Sequence, residues 1–308
     1  MRMRAVGRGG AALTLGILAA TGLSPAGPVL PNAEARSDSL VVDSGLLGRS
    51  GNLRFLLAHP ARTLDGALRQ LVPAGLAGRP GVHPLVATAP DGDSVVLVTL
   101  LPFDRKTGDR LGEYRIGSWP AERAVASPTA GTPKRARPLP AGFIEVTPAS
   151  RGIRVSKLFR FEDFLTHDQR AIWPKYLLLD PRLVDKLELI GQRLAQSGRS
   201  NSLRVMSGFR TPQYNALGVG PRCGRARDSR HMYGDAADVY VDADGNGVMD
   251  DLDGDGRVTI ADGRYLLGVA EAVEREHPEL VGGLSAYRAN RVHGPFLHVD
   301  ARGVRARW

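Results

Sequence analysis

Residues 229–241 read Ser229-Arg230-His231-Met232-Tyr233-Gly234-Asp235-Ala236-Ala237-Asp238-Val239-Tyr240-Val241. An imidazole and a carboxylate stand seven positions apart, separated by small residues, and the β-branched run that follows reads as a strand over Ala236–Val241. Upstream, Leu203–Met206 reads as a strand ending in Ser207-Gly208-Phe209-Arg210-Thr211-Pro212, a turn that presents an arginine. Downstream, Phe296-Leu297-His298-Val299-Asp300 reads as a last short strand. Two imidazoles and one carboxylate are a three-ligand set that leaves zinc a fourth position for water. Zinc acidifies that water and polarises a carbonyl, so the matching chemistry is hydrolysis of an amide or ester.

Helical periodicity surrounds these strands. Pro181 opens a pattern of Leu183, Leu187, Ile190 and Leu194, with Gly198 as its stop. Leu266–Glu276 reads as a second amphipathic helix, and Phe159–Leu165 as a short helical opening. This order is α+β.

The combination Ser207-x-x-Arg210-Thr211-Pro212, Ser229-x-His231-x-x-Gly234-x-Ala236-x-Asp238 and His298-Val299-Asp300, followed by Gly303 and Trp308, resembles the zinc D-alanyl-D-alanine carboxypeptidase family. That family cleaves peptides of bacterial peptidoglycan and shares its fold with the hedgehog signalling domain; the small exported subgroup is the best match. The resemblance covers residues 152–308. It implies zinc bound by His231, Asp238 and His298, and a substrate carboxylate or carbonyl held by Arg210, with Ser207 and Ser229 beside it. Many members carry an acidic general base shortly before the last ligand. Here Arg291–Leu297 contains no carboxylate, which leaves His293 and Asp300 as the candidates. Asp300 has a second possible role, orienting a ligand histidine, and His293 a second identity as a plain loop residue.

Between the ligands, residues 242–262 alternate Asp with Gly at fixed offsets. One twelve-residue calcium frame takes Asp242, Asp244, Asn246 and Asp253, with Gly247 at the sharp turn. A second takes Asp251, Asp253, Asp255 and Asp262, with Gly256 at the turn. The frames share Asp253, so a compact tandem loop binding calcium is expected, with a structural role.

The N-terminus carries Arg2, Arg4 and Arg8, then an apolar run over Ala11–Ala20 and a small-x-small boundary at Ala33-Glu34-Ala35. This is the pattern of a secretory signal over residues 1–35, and the run is too short to span a bilayer. A small β-rich domain is expected over 40–120, with Val95–Leu101 and Leu111–Gly117 as a hairpin and a helical period around Leu64–Leu71. A Pro-rich linker follows over 121–142.

The 308 residues are 43% hydrophobic, enough for a packed core, and carry a net charge of +9. The basic residues are dispersed and lack aromatic interleaving, so nucleic acid is not an expected partner, whereas an anionic cell wall is. No later segment is apolar enough for stable membrane insertion once the signal is removed. The single cysteine, Cys223, excludes a disulfide framework and a multi-cysteine zinc site. The leading expectation is a secreted zinc peptidase hydrolysing D-alanyl or related amides of peptidoglycan stem peptides. The alternative is a non-catalytic, calcium-binding wall module that kept the fold and lost the base.

Overall fold

The computed structural model describes residues 53–58, 79–86, 94–126, 137–220 and 224–308. The stretch read as a signal, the period around Leu64–Leu71, Cys223 and the middle of the Pro-rich segment lie outside the described residues.

Three strands form a small sheet: β1 (Leu53–Ala58), β2 (Gly81–Val86) and β3 (Ser94–Thr99). β3 is central, parallel to β1 and antiparallel to β2. The hairpin expected between Val95–Leu101 and Leu111–Gly117 is therefore not formed. The β-branched run already has a partner on each side. The later segment closes its own tight hairpin, β5 (Arg110–Leu111) with β6 (Tyr114–Arg115), after the two-residue strand β4 (Leu101–Pro102). Helix α1 (Pro120–Ala126) occupies the start of the segment read as a linker, with Pro120 at its first turn, where the missing N–H costs nothing.

From there the chain pairs backwards. β7 (Gly142–Val146) lies between β4 and β8 (Lys175–Leu177). Phe103, Trp119, Phe143, Tyr114 and Tyr176 pack ring against ring across this join, mostly edge-on or tilted. The Trp119 Nε1–H donates to the Met232 carbonyl at 2.8 Å, and a Cβ on Gly117 would meet the Gln213 backbone nitrogen at 2.4 Å. Residues 101–119, expected in a separate unit, thus share one hydrophobic core with residues 143–308. Aromatic burial at this join outweighs the proline signal that suggested a boundary.

The main sheet has five strands in the order β13 (Ala306–Arg307), β11 (Gly283–Tyr287), β12 (Phe296–Asp300), β10 (Ala236–Val241) and β9 (Leu203–Ser207). All neighbours are antiparallel except β11 and β13. Helix α2 (Pro181–Gln196) starts where Pro181 predicts, with the Asp180 carboxylate accepting the Arg182 N–H, and Gly198 lies just past its end. The short helix α3 (Pro212–Ala216) follows β9. Helix α4 (Ile260–Glu276) begins six residues before the apolar period. Thr259 and Asp262 cap each other's backbone there, which lets a polar turn join the helix.

Helix α4 packs on β11 and β12, and α2 packs on α4. Leu183, Leu187, Ile190 and Leu194 meet Leu266, Ala270 and Val273 in this layer. A buried Lys186 crosses it, donating to Glu274 Oε1 at 2.6 Å and to the Asp300 carbonyl at 2.7 Å, which ties both helices to β12. The result is an α+β domain with one sheet face covered by helices. No described helix is long and apolar enough to cross a membrane.

Candidate metal centre

The sheet places two of the expected ligands side by side. Asp238 on β10 is the direct cross-strand partner of His298 on β12. Ser207 on β9 and Ser285 on β11 extend the same row. The pairing with β9 slips by one residue here, since Asp238 faces Ser207 and Val239 faces Val205, so Met206 of β9 is the extra residue of a bulge opposite Asp238.

His231 arrives from a 3-10 turn, Arg230–Tyr233, immediately before β10. Gly234 ends that turn at φ +73, and a Cβ there would strike the Leu178 backbone at 2.3 Å. Its smallness is needed for the left-handed turn and for packing on Leu178.

The three donors converge. His231 Nε2 lies 3.3 Å from Asp238 Oδ1, His298 Nδ1 lies 2.9 Å from the same oxygen, and the two nitrogens are 3.3 Å apart. A tetrahedral zinc with bonds of about 2.0–2.1 Å needs ligand atoms roughly 3.3 Å from one another, so these residues fit the ion. All three side chains are buried.

Each ligand is oriented from behind. His231 Nδ1 is 2.7 Å from the Gly208 carbonyl, which only accepts; Nδ1 therefore carries the proton and Nε2 turns its lone pair inward. His298 Nε2 faces Asp300 Oδ2 at 3.3 Å, which leaves Nδ1 as its inward lone pair. Asp300 has no exposed surface. It also accepts the Gly283 N–H at 2.7 Å and pairs with Arg302. Burial opposes its ionisation, yet the His298 and Arg302 partners hold its pKa well below the ordinary range.

The same contest sets the others. Burial lowers the His231 pKa, against the opposing pull of Asp238. At His298 burial is outweighed by Asp238 and Asp300, which raise its pKa. Asp238 stays ionised despite burial, held down chiefly by His231. A cation, whether proton or metal, is what this triangle accommodates.

Arg210 sits on the ligand rather than beside it. Its Nη2 donates to Asp238 Oδ2 at 2.6 Å and lies 3.1 Å from His231 Nε2, while Nε donates to Ser207 Oγ at 2.9 Å. Ser229 precedes the His231 turn, its carbonyl accepting the Met232 N–H. His293 is not brought to the cluster's donors. Its Nε2 is 2.7 Å from Asn290 Nδ2, its Nδ1 2.8 Å from the Gly294 carbonyl, and its ring abuts Phe296.

Sequence reading assigned no role to three contributors. The Gly208 carbonyl leaves no side-chain signal. Arg302, behind Asp300, is one of many dispersed arginines. Trp308 packs its ring 5.3 Å from His298, with its carbonyl accepting from Ser285 Oγ. The i, i+2 spacing of His298 and Asp300 does place both on one strand face, and that signal was available.

The acidic loop forms two groups, each with carboxylate oxygens within 4.8 Å of one another: Asp242, Asp244 and Asp250, then Asp251, Asp253 and Asp255. Asp253, shared by both calcium frames, falls in the second group. Asp262 is buried, with Oδ1 accepting the Leu252 and Asp253 N–H groups and Oδ2 the Thr259 N–H.

The buried His231, Asp238 and His298 form a three-donor set that can hold a metal ion. Residues 151–247 match the model of a zinc-dependent peptidase family described as peptidoglycan L,D-endopeptidase MepK. The match supports the resemblance carried by these motifs; it spans Arg210, His231 and Asp238 and stops before His298. No curated protein and no solved structure matches the chain.

Proposed function

We propose that the protein is an extracytoplasmic zinc peptidase that opens amide bonds within peptidoglycan stem peptides, acting as an endopeptidase. The observation that carries this reading is the convergence of His231, Asp238 and His298 at distances that suit zinc. Bound zinc supplies Lewis acidity, polarising a carbonyl and acidifying a water at neutral pH.

The chain's own residues do the rest. Gly208 and Asp300 fix the two imidazoles in the tautomers that point lone pairs inward. Arg210 takes one Asp238 oxygen and leaves the other to the cluster. This engagement supports endopeptidase over carboxypeptidase action: the guanidinium expected to clamp a C-terminal carboxylate is already committed to Asp238 and Ser207. The name of the matched family agrees. The basic signal pattern at residues 1–35 and the substrate together support export.

A second reading is favoured by the state of the candidate bases. Among the described residues, the carboxylates bonded to the two histidines are Asp238, a ligand, and Asp300, which is buried and fully engaged. A site without a free base would be a wall-binding module.

Digestion of purified peptidoglycan with added zinc, read by mass spectrometry beside a His298→Ala control, separates these. Cross-linked fragments split by the intact protein, without free D-alanine, support the endopeptidase. Release of D-alanine points to a carboxypeptidase. Unchanged fragments with zinc bound to the protein sink catalysis and favour the binding module.

A further inference from the structure

We propose that Asp242, Asp244 and Asp250, with Asn246 at the fifth position of the loop, form a calcium site at the exit of β10, whose occupancy braces the strands carrying Asp238 and His298. This site stands whether or not the histidine cluster binds zinc.

The decisive atom is Asp242 Oδ1. Asp242 is 4% exposed, and this oxygen has no hydrogen-bond donor. Its other oxygen accepts the Gly247 N–H at 3.2 Å. A buried carboxylate oxygen without a donor is costly, and more so beside the like charges of Asp244 and Asp250. A cation among the three removes both costs.

The donors are all oxygen, with no imidazole or thiolate, which suits a hard cation. Asp242, Asp244, Asn246 and Asp250 fall at positions 1, 3, 5 and 9 of a twelve-residue calcium frame, with Gly247 (φ +82) at position 6. Asp250 thus replaces Asp253 in the ligand set. The neighbouring group offers no comparable orphan: Asp251 accepts the Gly254 and Gly256 N–H groups, and Asp262 is held by the cap of α4.

The loop is wired to the histidine cluster by short routes. Asp242 follows directly on Val241, the last residue of β10. The Asp250 N–H donates back to the Val241 carbonyl at 2.8 Å, and the Val241 N–H to Met249 Sδ at 3.5 Å. Met249 and Leu252 are buried in the main core. A Cβ on Gly294 would meet Val248 Cγ1 at 3.2 Å, so the loop also touches the approach to β12. Holding Asp242 and Asp250 on one ion closes this return.

The test is calorimetric titration of the purified full chain, stripped with a calcium-selective chelator, with calcium chloride alone and with magnesium chloride in parallel. Thermal melts and hydrogen exchange over 236–252 accompany it. The expected result is a saturable calcium site, a melting rise of roughly 5 °C at saturation, and slowed exchange in β10 and the loop. Asp242→Asn should abolish the binding. The exposed Asp244→Asn, which has no buried role to lose, should weaken it at least tenfold, whereas Asp255→Asn leaves it unchanged. If Asp242→Asn does not fold, Asp244→Asn decides. No saturable binding, a magnesium preference, or loss with Asp255→Asn and not with Asp244→Asn would each overturn the assignment.

Discussion

Asp238 divides its two oxygens between opposite neighbours, imidazoles on one side and the Arg210 guanidinium on the other. Replacing Arg210 by Ala leaves a buried carboxylate oxygen unpaired. Removal of such a supporting group is expected to weaken zinc binding about 10–100-fold, read by competition with a chromogenic chelator. A pure substrate clamp would instead raise KM and leave zinc affinity intact. Asp300 has a different signature. Its folded pKa is depressed, so its stabilisation is present above the unfolded carboxylate value near 3.9 and fades as pH falls below it. Asp300→Asn should therefore cost about 3 kcal/mol at pH 7, and the gap to the parent should narrow in urea titrations at pH 3. At this scale the motifs that carry the family resemblance single out His231, Asp238 and His298, and the structure brings their donor atoms together. The sequence did not carry the engagement of Arg210 with Asp238, because a guanidinium suits a ligand carboxylate and a substrate carboxylate equally well.

The strands and helices around the site were largely legible. β9, β10, β12 and α2 follow alternation, period and punctuation in the chain, and Pro181 and Gly198 bracket α2 as their backbone preferences require. β11 was not legible: Gly-Leu-Ser-Ala-Tyr has little β-branched character, and β11 pairs between β12 and β13. The turn carrying His231 was also unread, since its geometry comes from Gly234 against the distant Leu178 backbone. Gly234→Ala tests that element. Its positive φ and the 2.3 Å approach predict a loss of about 2 kcal/mol or more, measured by urea unfolding, with a parallel fall in metal affinity as the His231 turn is displaced.

Across the whole molecule, the proline-rich stretch hid how far the core reaches. Trp119 is fully buried, and its indole N–H holds the carbonyl of Met232, next to His231. Residues 101–119 are therefore part of the frame behind the site, a relation set by contacts more than a hundred residues apart that no local pattern encodes. A fragment of residues 152–308 is expected to be insoluble or molten, judged by near-ultraviolet circular dichroism. Trp119→Ala in the full chain should cost about 3–5 kcal/mol and loosen His231 with it. The row Ser207, Asp238, His298 and Ser285, one residue from each of four adjacent strands, has a practical corollary. Side chains alternate between faces, so a one-residue slip of β10 against β12 would turn Asp238 to the opposite side of the sheet. On the proposed assignment, a misaligned molecule has no place for the ion. The zinc-to-protein ratio of a refolded preparation would then serve as a tally of correctly assembled sheets, usable before any substrate is in hand.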